Sequence, residues 1–165
     1  MILSVGEVNK NKNHKVGIEV LAKLKDKNTY YVICGRGPLM KTHKELAQSL
    51  GVSDRVILTG YRTDVADFYK MADVFLFPSF REGLPVAVME AMASGLPVIA
   101  TRIRGSSDLV QHGALFDPTD VDGIAKEIKN VQLERVKHEI EVFDIQSVVG
   151  LMKEIYRSSV TNNTI

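Results

Sequence analysis

Apolar residues follow two rhythms along the chain. Five short runs are apolar at nearly every position: Ile2-Leu3-Ser4-Val5, Tyr30-Tyr31-Val32-Ile33-Cys34, Val56-Ile57-Leu58-Thr59, Val74-Phe75-Leu76-Phe77 and Pro97-Val98-Ile99-Ala100. Ala114-Leu115-Phe116 is a weaker sixth. Runs of this kind, without alternation, predict strands buried on both faces, as in a parallel sheet. Between them the apolar positions take the helical period. Helices are predicted over roughly 14–25, 39–50, 64–71, 85–94 and 120–130, and in the first Val16, Val20, Leu21 and Leu24 share one stripe. Strand and helix alternate throughout, which predicts an α/β fold: a doubly wound parallel sheet of about six strands. Ligands of such sheets bind beyond the carboxyl ends of the strands, so the informative loops follow Val5, Cys34, Thr59, Phe77 and Ala100. The polar stretch Ser158–Ile165 is expected to be a disordered tail.

Composition narrows the class. At 165 residues, 45% of them hydrophobic, the chain suits one soluble domain with a sizeable core. It has no run of 18 apolar residues, so no membrane span is expected. Its first residues turn from apolar to basic, the wrong order for a signal peptide. The single cysteine, Cys34, lies in an apolar run and fits a cytoplasmic setting. A net charge of +1 argues against nucleic acid as partner. The charge is nevertheless uneven, +6 over residues 1–44 and −5 over the rest. A basic first portion suits a small anionic ligand, although surface solvation accounts for most lysines.

The most informative segment runs from Phe80 to Val98. Pro85 suits the first turn of a helix, where its missing N–H costs nothing. Gly95 suits the C-terminal cap, and Pro97 forbids continuation. Glu82 is thereby placed in the loop and Glu90 on an otherwise apolar helix. A carboxylate there needs a partner, either an arginine or a ligand diol such as a ribose. Glu82 could accept hydrogen bonds from sugar hydroxyls, and the free N–H groups after Gly83 could cradle phosphate.

The stretch Arg81-Glu82-Gly83-Leu84-Pro85, followed by Glu90-Ala91-Met92-Ala93 and then Gly95, Pro97 and Val98, resembles the paired-glutamate motif of group 1 (GT4-like) retaining glycosyltransferases. Further similar stretches occur in the family's order: Ile2–Gly6 with Lys12-Asn13-His14, Cys34–Leu39, Leu58–Val65, Ala72–Ser79, and Ile103-Arg104-Gly105 with Asp108-Leu109-Val110. The resemblance covers residues 1–157 and has the flavour of bacterial capsular and exopolysaccharide enzymes. It implies a Rossmann-like domain, the C-terminal half of a GT-B fold, that binds a nucleotide-diphosphate sugar as donor substrate. Phe143–Tyr156 resembles the helix that returns toward the other half. The N-terminal acceptor domain is expected to be absent, so the fragment alone would be inactive.

The resemblance also implies roles. Glu90 would hold the ribose, and Glu82, the catalytic carboxylate, would meet the donor sugar. The backbone of Gly83, Leu84, Pro85 and Val86 would contact sugar and phosphates. Lys12 would neutralise the diphosphate, and Gly6 would let the backbone approach the donor. The Gly35–Pro38 turn, with Gly35 and Gly37, would form a cleft wall, and Tyr61 and Arg62 would lie where the nucleotide base is held. Transfer would retain configuration without metal or cofactor, with dipoles and basic residues stabilising the leaving diphosphate. Location at the inner face of the membrane, with peripheral contact to a membrane-borne acceptor, would follow for the full-length enzyme. One departure stands out: the family commonly has arginine where this chain has Glu7. Glu7 is expected to point away or to pair with Lys10 or Lys12.

Other residues are read as structural. His14 is expected at a helix N-terminus, and His43, His112 and His138 in solvent. Ser106, Ser107 and Asp108 read as helix capping. No metal-ligand spacing or nucleophile elbow is present, and Gly35-Arg36-Gly37 falls short of a dinucleotide fingerprint because Met40 follows. Two alternatives are a non-catalytic nucleotide-sugar-binding subunit completed by a separate chain, and a GT-B sugar-nucleotide epimerase.

Overall fold

The computed structural model describes residues 1–110 and 114–131. Strands and helices alternate: β1 (Ile2–Val5), α1 (His14–Leu24), β2 (Tyr31–Cys34), α2 (Met40–Ser49), β3 (Val56–Gly60), α3 (Val65–Met71), β4 (Val74–Phe77), α4 (Val86–Ala93), β5 (Val98–Thr101), α5 (Arg104–Leu109), β6 (Ala114–Phe116) and α6 (Val121–Asn130). The six strands form one parallel sheet in the order β3-β2-β1-β4-β5-β6. The sheet matches the expected doubly wound α/β architecture. The expected C-terminal helix and polar tail lie outside the described residues, as do His112 and His138.

The continuous apolar runs have a direct cause, since successive strand residues enter two separate cores. Ile2, Tyr31, Ile33, Val74, Leu76 and Ile99 face α1, α2 and α6. Leu3, Val32, Cys34, Phe75, Phe77, Val98 and Ala100 face α3, α4 and α5. In β2, β4 and β5 every residue is buried, so neither face there can be polar, whereas the edge strands β3 and β6 are partly exposed. Gly17 lets α1 lie close on the sheet, because a Cβ there would stand 2.4 Å from the ring of fully buried Tyr31. The Tyr31 hydroxyl is satisfied by the Ser4 hydroxyl at 2.9 Å.

Three local expectations need correction. Ser106, Ser107 and Asp108 do not cap a helix; they lie inside α5, a six-residue helix whose N-cap is Ile103. His43 is not solvated but 3% exposed, packed edge-on to the buried His14 ring with centroids 6.3 Å apart. Pro85 is the N-cap of α4 rather than a residue of its first turn, its carbonyl accepting from Val88 N at 2.9 Å. Gly95 does end α4 as expected, with φ +70° and its N–H bonded to Met92 O at 2.9 Å.

Candidate functional site

The strand order reverses between β1 and β4, since β2 and β3 extend one way and β5 and β6 the other. Loops that leave neighbouring strands toward opposite faces open a crevice at this point. Here those loops are Gly6–Asn13 and Pro78–Pro85, and they are stitched together. Phe80 N donates to Asn11 O at 2.8 Å, and Asn13 Nδ2 donates to Pro78 O at 3.0 Å. Asn11 Nδ2 donates to Arg81 O at 2.7 Å and to Glu82 Oε1 at 3.1 Å. Asn13 takes the left-handed conformation, φ 52°, which its short amide side chain tolerates as α1 begins.

Lys12 and Glu82 meet across this crevice, Nζ to Oε1 at 2.8 Å. The side chains are 21% and 15% exposed, so the pair is partly shielded from water. The Lys12 ammonium also lies 5.2 Å from the centre of the Phe77 ring, within cation–π range. Its aliphatic stem crosses Gly6, where a Cβ would come within 3.1 Å of Lys12 Cε. Glycine at position 6 therefore gives the lysine its path across the crevice.

Beside the crevice is a cleft of about 760 Å3 lined by Gly6, Gly35, Gly37, Tyr61 and Arg62, together with Glu7 and Arg36. The wall exists because two loops run unusually close. A Cβ at Gly35 would stand 1.9 Å from Gly6 O, and one at Gly37 would stand 2.4 Å from Val8 O. The contact is hydrogen-bonded, Gly6 N to Cys34 O at 3.0 Å and Val8 N to Arg36 O at 3.1 Å. Tyr61 is 71% exposed and carries the Arg36 guanidinium 5.6 Å from its ring centre. Arg62 is held by Asp64, Nε to Oδ1 at 2.8 Å. Burial pushes the Cys34 thiol above its ordinary range, so it sits in the cleft wall as a neutral thiol.

Glu90 is on the exposed side of α4, and its carboxylate accepts from the Tyr69 hydroxyl at 2.9 Å. The partner is therefore a tyrosine of α3, not an arginine. Desolvation, followed by the Glu90 carboxylate, drives the Tyr69 hydroxyl far above its usual range, which fixes it as a donor. Glu90 does not line the cleft. It is linked to it through α3, whose Val65 does.

Gly83, Leu84 and Val86 are exposed where the β4–α4 loop enters α4. Among the described residues the amides of Gly83 and Leu84 find no protein acceptor. The loop rests on α5, where a Cβ at Gly105 would lie 2.8 Å from Gly83 O. Glu7 meets neither Lys10 nor Lys12; it is exposed in the cleft and accepts from Asn9 Nδ2 at 2.9 Å. Sequence reasoning missed Asn11 and Tyr69, and it placed Arg36 in the cleft wall without its contact to the Tyr61 ring. None lies in the glutamate motif, and only the reversal of strand order brings Asn11 to Glu82. No group of three or more potential metal ligands occurs among the described residues.

Comparison with known proteins gives the family and the fold. The profile of the group 1 glycosyl transferases matches residues 1–140. The chain belongs to the group 1 glycosyltransferase family. It is 31% identical over 148 residues to an Escherichia coli enzyme named UDP-Gal:alpha-D-GlcNAc-diphosphoundecaprenol alpha-1,3-galactosyltransferase, covering 82% of this chain and 38% of that one. Among solved structures, Staphylococcus aureus TarM, in a complex that includes UDP, superposes with a TM-score of 0.83 at 21% identity, covering 94% of this chain and 34% of TarM. The C-terminal domain of a group 1 family protein, LpcC from Francisella tularensis, gives 0.69 at 24% identity and covers 78% and 73%. The fold is thus the Rossmann-like half of a GT-B glycosyltransferase. The chain spans well under half the length of the curated relatives it matches.

Proposed function

We propose that residues 1–157 are the donor-binding unit of a retaining, metal-independent glycosyltransferase. The unit binds a nucleotide-diphosphate sugar, and the sugar passes to an acceptor hydroxyl during surface-polysaccharide synthesis at the inner face of the membrane. The observation that carries this reading is the Lys12–Glu82 pair at the reversal of strand order, beside a cleft of nucleotide size. An ammonium at a strand's carboxyl end suits a diphosphate, and a neighbouring carboxylate suits sugar hydroxyls. The unpartnered amides of Gly83 and Leu84 add donors for charge that develops on the leaving diphosphate. Tyr61, with Arg36 over its ring, offers a stacking surface for the base. Glu90, pre-oriented by Tyr69, suits the ribose diol. The names of relatives point the same way, one carrying UDP-Gal as donor and two solved neighbours carrying UDP. Contacts to the acceptor are assigned to a separate acceptor-binding unit.

The test is calorimetric titration with UDP, GDP and their 2′,3′-dideoxy forms. Glu90→Ala should weaken nucleoside diphosphate binding by about 1.5–3 kcal/mol, the range for a charge-assisted hydrogen bond. Loss of the diol should cost about as much, and the two losses should not add. Unchanged affinity in a folded variant would assign Glu90 to structure alone.

A further inference from the structure

The ligand-free pairing of Lys12 with Glu82 has a consequence for which nucleotide the site prefers. Glu82 Oε1 accepts from Lys12 Nζ at 2.8 Å and from Asn11 Nδ2 at 3.1 Å. Asn11 is itself anchored, through Arg81 O at 2.7 Å and through its own carbonyl, which accepts from Phe80 N at 2.8 Å. Glu82 is therefore held by an amide that has a second anchor on Arg81 O and by an ammonium at the end of a flexible stem. The Lys12 stem has its path over Gly6 and its ammonium a resting place beside Phe77. The stem, with Cε, Cδ and Cγ lying over Gly6, is flexible enough for its head group to turn to a second partner.

We propose that Lys12 is exchanged between Glu82 and the donor diphosphate, and that this exchange makes the site favour the sugar-bearing donor over the bare diphosphate product. The inference rests on the donor-binding reading above. When a nucleotide sugar enters, its hydroxyls donate to Glu82 and replace the ammonium, which turns to the phosphates. When bare diphosphate enters, the same turn leaves Glu82, 15% exposed, with Asn11 as its remaining partner. A partly buried carboxylate stripped of its cation is costly. The bare diphosphate therefore binds against a resistance that the donor does not meet. After transfer, the return of Lys12 to Glu82 favours product release. In these terms Lys12 binds the leaving group, while Asn11 is a positioning residue that keeps Glu82 aimed at the sugar.

Titration of UDP and GDP into wild type, Glu82→Gln, Lys12→Met and the double variant tests this without knowledge of the sugar. Methionine keeps the stem that packs on Gly6 and Phe77. Glu82→Gln should tighten bare diphosphate binding by about two- to fivefold, since it frees Lys12. In the Lys12→Met background the same change should have little effect. A gain of equal size in both backgrounds would mean that simple charge repulsion, not exchange, acts on the phosphates, and would overturn the proposal. Unchanged or weaker binding in folded Glu82→Gln would overturn it as well. Failure of wild type to bind either diphosphate would sink the donor-binding reading itself, so the two failures are told apart.

Discussion

A Cβ at Gly35 would stand 1.9 Å from a backbone oxygen of Gly6, and backbone cannot step aside as a flexible side chain can. Gly35→Ala should therefore destabilise the protein by about 3 kcal/mol or more, the scale of severe packing defects. Gly51→Ala is the control. Its φ of +68° is unfavourable for any side chain, yet its surroundings are open, so about 1–2 kcal/mol is expected. Urea midpoints for the two variants give the comparison. Equal losses would show that the approach of the two loops is not what requires glycine at position 35. A second prediction concerns Tyr69, which orients Glu90. Tyr69→Phe should weaken nucleoside diphosphate binding by about 0.5–1.5 kcal/mol, the net worth of one hydrogen bond, with no added loss once Glu90 is Ala. Full additivity in titrations would place Tyr69 outside the ribose contact.

At the scale of elements, the inner strands β2, β4 and β5 were legible because burial on both faces leaves little room for polar positions, and β3 because its apolar run persists at a partly exposed edge. Five runs foretold five strands to within a residue at each end, and the weak Ala114–Phe116 run is the short edge strand β6. The helix α5 was not foreseen, because six residues including Gly105 and two serines show no apolar period. Glu82 and Glu90 were legible because their motif is local. Asn11 and Tyr69 were not, because their contacts span about 70 and 20 residues. His43 was misread for a different reason: imidazole is polar enough for solvent and flat enough for a core, and only the packing of α2 on α1 decides. That packing has a pH signature. Burial first, then the charges of His43 and Lys12, lower His14 to about 3, and burial lowers His43 as well. Unfolded histidine takes up its proton near 6.5, while folded His14 refuses it. Stability from this source is full above pH 6.5 and declines as pH falls toward 3, reaching a loss of about 2 kcal/mol by pH 5 for His14. The exposed Asp26, Asp64 and Asp117, whose hydrogen bonds lower them, lose their contributions only as pH falls below their ordinary 3.8. The Tm should therefore fall between pH 7 and pH 5, and His14→Gln should flatten that fall. An undiminished slope in the variant would assign the acid sensitivity elsewhere.

The whole molecule carries its charge unevenly, and the sheet order gives that unevenness a direction. Residues 1–44, with a net +6, supply β1, β2 and the loops after them, which form the Lys12 side of the crevice and the Gly35–Gly37 wall of the cleft. Of these charges Lys12 and Arg36 stand at the crevice and the cleft, whereas Lys23 and Lys25 lie at the far end of α1, so an anionic ligand in the cleft feels chiefly the field of the two near cations, as a salt-dependent attraction. Glu7 opposes that field from within the cleft. Asn9 links it to the backbone of Lys12, donating to Glu7 from Nδ2 and accepting from Lys12 N at Oδ1, 2.9 Å in each case, while the Lys12 ammonium is held by Glu82 and makes no contact with Glu7. Glu7→Arg should thus exchange a repulsion for an attraction and tighten UDP binding at low salt. The side chain is exposed, so the gain should shrink as ionic strength rises and the screening length falls toward about 8 Å. Uridine, which has no phosphate, should bind wild type and variant alike at every salt concentration. The measurement is a salt series of titrations with UDP and uridine on both proteins. A gain that uridine shares would come from altered cleft shape, and a gain indifferent to salt would mean that the new arginine contacts phosphate directly in a dry site.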